Sequence, residues 1–304
     1  MTTFSQDNNK DINETIINFL GNRPNVIAAY GYGSGVIKQN GYTNNDKPQL
    51  DLILVVDDLK EWHLSNIEKN PNDYSKIGKY TFKNSNIKNL KGNTGITYLS
   101  NIEENNNLFK YGTIERYDLQ NHLYYWDSFY MPGRFQKVVS VIKSTDGLNE
   151  AIKTNRDNAL MIAAYLLNKK IVNKKELLTK LCSLSYLGDT RMRFAENPEK
   201  ISNIVNGSYK ELLSIYDFNK PYFKELNDEY LYVDLNIIKY SFMQYPMALR
   251  NHLTNDVFQD DIIDYLTELN RYESIDQTIK GIKTNGIVKS VNYASKKLAK
   301  RFKH

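Results

Sequence analysis

Residues Tyr30–Val56 read YGYGSGVIKQNGYTNNDKPQLDLILVV, and the reading of the fold starts from them. A short apolar run, Val26–Ala29, leads into Gly31, Gly33 and Gly35 around Ser34, and a strand-like LDLILVV follows, opening on Asp51. Glycines at 33 and 35 let the backbone take left-handed geometry and approach a phosphate closely. The amides of the turn and of a following helix N-terminus can then face that anion. A carboxylate on the neighbouring strand suits Mg²⁺, which takes one or two protein carboxylates and completes its octahedron with substrate oxygens. Glycine turns also serve as plain structural corners, so this stretch alone leaves both readings open.

The rest of the chain narrows the class. Its 304 residues are enough for one large or two ordinary domains. With 41% hydrophobic and 25% charged residues it has the composition of a folded globular protein. The 23 tyrosines are read here as coding bias, without functional weight. A net charge of +5 is mild and gives no reason to expect nucleic acid. Cys182 is the one cysteine and lies in an apolar stretch, which predicts a buried structural thiol and a reducing compartment. His63, His122, His252 and His304 have no zinc-site spacing. No import or signal segment is expected from the first twenty residues, which carry Asp7, Asp11 and Glu14 but no Arg.

Along the chain, Asp11–Leu20 is predicted as an amphipathic helix, Asn25–Tyr30 and Gln49–Val56 as strands, and Lys60–Lys69 as a helix. A polar loop is expected over Asn84–Gly95, short strands at Ile96–Leu99 and Lys110–Ile114, a helix over Tyr117–Tyr130, and β structure at Val138–Lys143. This alternation predicts an α/β sheet domain over 1–145. From Asp146 the pattern turns mostly helical, which predicts a second domain over 146–286, with Tyr230–Tyr240 adding strands and Thr278–Ile287 a glycine-punctuated loop. The last segment, 287–304, reads as a basic amphipathic helix. Ile287, Val291, Ala294, Leu298 and Phe302 share one face, and six Lys or Arg stand among the rest with no acid. Such a helix serves membrane surfaces and packing alike.

Assembled, these residues resemble the Tam41 family, the peripheral, mitochondrial-type phosphatidate cytidylyltransferases. Its YGSGVxxQxGY pattern is met by Tyr32–Val36, Gln39, Gly41 and Tyr42, and its DLIFxV strand by Asp51–Leu54 and Val56. Trp62, His63, Asn66, Asn70, Pro71, Tyr74 and Ser75 match its WHxxNxxxNPxHYS segment, and Lys110–Gly112 its KYGV strand. Trp126, Tyr130, Gly133, Arg134, Gln136, Lys137 and Val139 match WxxLYxxGRLQKPV, and Ser183–Met192 match SLSYxGDxRM. The departures are Val138 for a proline, Asp73 for a histidine and His122 for an acid.

The resemblance implies a nucleotidyltransferase-fold domain followed by a winged-helix-like one. The implied reaction joins CTP and phosphatidic acid into CDP-diacylglycerol and releases pyrophosphate. Gly33, Ser34 and Gly35 would cradle the triphosphate, and Asp51 would hold Mg²⁺. Ile53 stands where many such enzymes carry a second strand acid, which leaves Asp57, Glu115 and Asp118 open as further ligands. Lys110, Arg134 and Lys137 would contact substrate phosphates, Asp189 and Arg191 would face the same site, and Lys280 with Gly281 would form a second phosphate loop. The expected setting is a bacterial cytoplasm, with the protein peripheral on the inner face of the cell membrane against anionic lipid. A nucleotidyltransferase acting on an antibiotic, RNA or protein is the alternative, and oligomeric state is left open.

Overall fold

The computed structural model describes residues 4–37, 49–85, 87–190, 192, 197–253 and 259–285. Arg191 and the basic segment 287–304 lie outside them. The chain is α+β. Its larger sheet has five strands, β1 (Ala28–Tyr32), β2 (Leu50–Val56), β3 (Ile96–Glu104), β4 (Asn107–Glu115) and β5 (Ser140–Lys143), in the order β3-β4-β2-β1-β5. Only β2 and β4 pair in parallel; the other neighbours are antiparallel. The expected short strands at 96–99 and 110–114 are therefore two arms of one longer hairpin. Asn105 and Asn106 both take positive φ, 50° and 60°, the geometry that a tight hairpin turn requires.

β2 is buried on both faces, so its side chains alternate between two cores. Leu52, Leu54 and Val56 meet Ile16, Phe19 and Trp62 on one side. Ile53 and Val55 meet Tyr30, Leu119, Phe135 and Leu148 on the other. By the same alternation Asp51 points to the second face, at the open end of the strand. A polar cluster fills the first face near its edge: Arg23 forks onto Asp73 at 3.1 and 3.2 Å, and Tyr111 donates to Asp73 at 2.7 Å. Asp73 thus has its own buried partners where the resembling family carries histidine. His63 is packed in the core, stacked on Phe82 at 3.9 Å, with its pKa pushed down to about 3 by burial.

Beyond the sheet, the helix Asp146–Leu167 is buried along most of its length, and a small sheet joins Ile171–Asn173, Tyr230–Val233 and Phe223–Glu225. Leu235–Tyr240, expected to be strand, is helix capped by Asp234. The polar stretch 84–95 holds a short helix, Ile87–Lys91. The expected loop at 278–287 is also corrected, because a helix runs from Gln259 to Asn285 and includes Lys280 and Gly281. Its first half is tied down by Ile262 and Leu266 in the core, and its second half by buried polar side chains. Asn270 donates to the Leu184 carbonyl at 2.9 Å and Gln277 to that of Ile96 at 3.3 Å.

Candidate active site

β1 ends in the glycine turn. Gly33 has φ +74°, and its carbonyl accepts from Val36 at 3.2 Å and Ile37 at 2.8 Å, closing one tight turn. A Cβ on Gly33 would stand 3.1 Å from Asp51 Oδ2, and one on Gly35 only 2.1 Å from the Gln49 carbonyl oxygen. The turn is folded down onto the start of β2, so the glycine–serine corner and Asp51 lie side by side, as the spacing suggested.

Strand register builds the rest. Tyr32 pairs with Asp51, and Asp51 with Lys110, so three side chains stand in a row across one face. Lys110 Nζ lies 3.8 Å from Asp51 Oδ1 and 4.6 Å from the centre of the Tyr98 ring. The ring can lie over β4 because Gly112 leaves it room: a Cβ there would stand 2.5 Å from Tyr98 Cε1. Arg134 closes the opposite side, on the short helix Pro132–Phe135. Its guanidinium sits 3.7 Å over the Tyr130 ring and 5.7 Å from that of Tyr32, and Nη1 donates to the Tyr130 carbonyl at 2.5 Å. Tyr32, Tyr98 and Tyr130 thus lie together between Asp51–Lys110 and Arg134. Sequence reading gave the tyrosines no weight. The one available signal was the register, which puts Tyr32 opposite Asp51.

Arg134 Nε is buried and has no acceptor among the described residues. Burial works against the charge, yet the surrounding oxygens of Tyr130, Tyr98 and Tyr32 hold its pKa well above the ordinary value. Lys137, one turn on, donates to the Gly133 carbonyl at 2.5 Å and Ser185 Oγ at 2.6 Å and lies 4.9 Å from the Tyr186 ring. Neither cation makes an ion pair with a described carboxylate. Burial pushes the Lys137 pKa down to about 8, with the positive charges of Arg134 and Lys200 adding to the shift and Cys182 opposing it. An anion arriving beside Lys137 raises that pKa again, so the protonated form binds it better. Affinity for an anionic substrate is therefore expected to be highest below pH 8 and to fall as pH rises through it, at most about tenfold per pH unit. Isothermal titration of CTP at several pH values would check this, and Lys137→Arg should flatten the profile.

Two buried hydrogen-bond sets hold the segment that carries these cations. Asn155 accepts from Trp126 Nε1 at 2.9 Å and from Gln136 Nε2 at 3.1 Å, and donates to the Pro132 carbonyl at 3.0 Å. Glu273 accepts from the Phe129 amide at 2.9 Å, with burial pushing its pKa up to about 7. On the far side Gly133 lies so close to Ser185 that a Cβ would stand 2.3 Å from the serine Cβ. This contact seats the segment Leu184–Asp189 against the cation-bearing helix. Asp189 is buried there, with its amide bonded to the Tyr186 carbonyl at 3.3 Å.

Other expected members do not join. Asp57 lies just beyond the far end of β2, exposed and 3.7 Å from Arg116. Glu115 pairs with Val56, five residues along β2 from Asp51, about 17 Å at strand rise. Asp118 follows Glu115 at that end, and both are paired with Lys91. None of the three can share an ion with Asp51. Lys280 is corrected as well: its Nζ donates to Thr94 Oγ1 at 2.7 Å and to the Lys91 carbonyl, and it pairs with Asp276 at 3.0 Å. It is a strut between the helix Gln259–Asn285 and the turn before β3, not a phosphate loop. His122 is buried, with Nδ1 2.7 Å from Asp127 Oδ1.

The family model described as "Phosphatidate cytidylyltransferase, mitochondrial" matches residues 14–236, a span that includes the glycine turn, Asp51, Lys110, Arg134, Lys137 and Asp189. The chain belongs to the Tam41/Mmp37 family. Curated relatives in this family include proteins from Schizosaccharomyces pombe, 29% identical over 90% of this chain and 80% of the relative, and from Xenopus laevis, 30% identical over 90% of each. A mouse relative is likewise 30% identical over 90% of each chain. All carry the name phosphatidate cytidylyltransferase, mitochondrial. These eukaryotic, mitochondrial relatives overturn the expectation of a bacterial member on the inner face of a cell membrane, and point to mitochondria instead.

Proposed function

We propose that this Tam41/Mmp37 protein is a phosphatidate cytidylyltransferase, converting CTP and phosphatidate into CDP-diacylglycerol and pyrophosphate. Family membership supports the activity. The observation that ties it to a place is Arg134, a part-buried cation without a described carboxylate partner, set over Tyr32 beside the corner where the glycine turn meets Asp51, with the part-buried Lys137 one turn further on. Buried charge is costly unless something neutralises it. Substrate phosphates do so here.

A phosphate oxygen of phosphatidate attacks the α-phosphorus of CTP; the bond from that phosphorus to the β-phosphate bridging oxygen breaks, and pyrophosphate leaves with that electron pair. The attacking oxygen is already deprotonated at neutral pH, so no general base is needed. Catalysis then rests on bringing two polyanions together and neutralising charge as it moves. The Gly33–Gly35 turn holds the triphosphate, Arg134 grips phosphate oxygens as a planar fork, and Lys110 and Lys137 act as point charges. Tyr32, Tyr98 and Tyr130 lie together between Lys110 and Arg134. Asp189 is assigned to the same site from the segment Leu184–Asp189. Asp51 is suited to hold Mg²⁺: one half-exposed carboxylate beside a phosphate turn meets that ion's need for few protein ligands and many substrate oxygens. When bound, the ion supplies neutralisation of the phosphate charge.

Residues 1–145 fit a nucleotidyltransferase domain and 146–286 a winged-helix-like one, with CTP and phosphatidate meeting where the segment Leu184–Asp189 rests on the helix Pro132–Phe135. Purified protein with labelled CTP, phosphatidate micelles and Mg²⁺ is expected to form CDP-diacylglycerol, and to stop when the metal is chelated. Cytidylyl transfer to a soluble acceptor, with phosphatidate ignored, would overturn the reading.

A further inference from the structure

The stretch 74–102 carries five lysines, Lys76, Lys79, Lys83, Lys88 and Lys91, and neither Asp nor Glu, in a chain with 35 acidic residues. Lys91 is used internally, against Glu115 and Asp118. The other four stand on or just after the helix Lys76–Asn84. Ser75 starts that helix by accepting from the Gly78 amide at 2.9 Å. Gly78 and Phe82 face inward. Outward, Tyr80 is 71% exposed and Ile77 55%.

At helical spacing Tyr80 sits in the middle of the outward face, Ile77 on one flank, and Lys76 and Lys83 on the other. Lys76, Lys83 and Lys88 are exposed and Lys79 is half-buried. Among the described residues, no carboxylate pairs with Lys76, Lys79 or Lys83. An aromatic ring and an aliphatic side chain set among ammonium groups suit the water–lipid boundary. The rings enter the headgroup layer while lysine stems lie along it and their charges meet phosphates. Charge separates this face from one other exposed apolar surface, on the small sheet. There Ile171, Tyr230 and Tyr232 are exposed too, but Glu225, Asp228 and Glu229 stand beside them.

We propose that the helix Lys76–Asn84 docks the protein on an anionic bilayer, Tyr80 and Ile77 entering the headgroup region and Lys76, Lys79, Lys83 and Lys88 contacting lipid phosphates. This rests on the reading that one substrate is a membrane lipid. No described helix is long and apolar enough to cross a membrane, and a surface helix gives the protein a way to meet that lipid.

The test uses the full chain and vesicles of phosphatidylcholine alone, with phosphatidate, or with phosphatidylglycerol. Two double variants, Ile77→Ser with Tyr80→Ser and Lys76→Glu with Lys83→Glu, are compared with the parent. Each is expected to lower partition onto both anionic vesicles by about tenfold or more. Melting temperature and turnover of dispersed short-chain phosphatidate are expected to be unchanged. Unchanged partition in either variant overturns the proposal. So does a change in oligomeric state in place of vesicle binding, or RNA competing the parent off the vesicles and binding less to the lysine variant, which would make the face a nucleic-acid or self-association surface. If the parent fails to convert short-chain phosphatidate, the enzymatic reading falls, while vesicle partition still decides the docking face.

Discussion

Asp51→Ala is expected to abolish cytidylyl transfer, with kcat falling about 10³-fold or more, while the protein melts within a few degrees of the parent. The two halves have separate physical grounds. Asp51 is the partly exposed second residue of β2, between the buried Leu50 and Leu52, and its contact with Lys110 at 3.8 Å is partly exposed to water. Such a pair contributes at most about 1 kcal/mol. Losing it leaves the two cores of β2 intact. Losing the carboxylate that would hold Mg²⁺ against the phosphates would remove several kcal/mol of transition-state stabilisation, and each 1.4 kcal/mol is about tenfold in rate. Asp51→Asn should behave alike, since it keeps the shape without the charge. Near-normal CDP-diacylglycerol synthesis by either variant would contradict the site assignment.

Arg134→Met is expected to lower kcat/KM by about 10²- to 10³-fold, the range seen when one preorganised donor to developing charge is lost. Its stability is expected to hold or rise. Arg134 is a part-buried cation whose buried Nε has no partner among the described residues and which has no described carboxylate, so its desolvation is unfavourable to folding. Methionine keeps much of the volume and the contact with the Tyr130 ring. Thermal melting beside steady-state kinetics would read both effects. A large drop in melting temperature together with unchanged turnover would make Arg134 a structural residue. A function-bearing charge shows the reverse pattern, because stability has been given up for the site.

The site was legible in part because local chemistry wrote part of it into the sequence. A glycine at positive φ and another pressed against a carbonyl can be read from the spacing of Gly33 and Gly35, and the run LDLILVV declares a strand buried on both faces. The tyrosine cluster was not legible. Tyr32, Tyr98 and Tyr130 come from separate elements, and only the sheet register and the seat of Pro132–Phe135 bring them together. Lys280 shows the opposite error. Glycine beside lysine looks like a phosphate loop until a neighbouring turn offers Thr94 and the Lys91 carbonyl as partners and helix geometry supplies Asp276 four residues earlier.

By itself, then, the order of residues determined the strands, most helices, the phosphate turn beside an acid and the family, because backbone propensity and apolar periodicity act over a few residues. Tertiary structure alone decided which charges are spent on the fold and which are kept for substrate. Glu115 and Asp118 neutralise Lys91 and Asp73 neutralises Arg23, whereas burial leaves Arg134 and Lys137 without a described counter-charge. That division depends on which groups meet across the chain and on how much water remains around them.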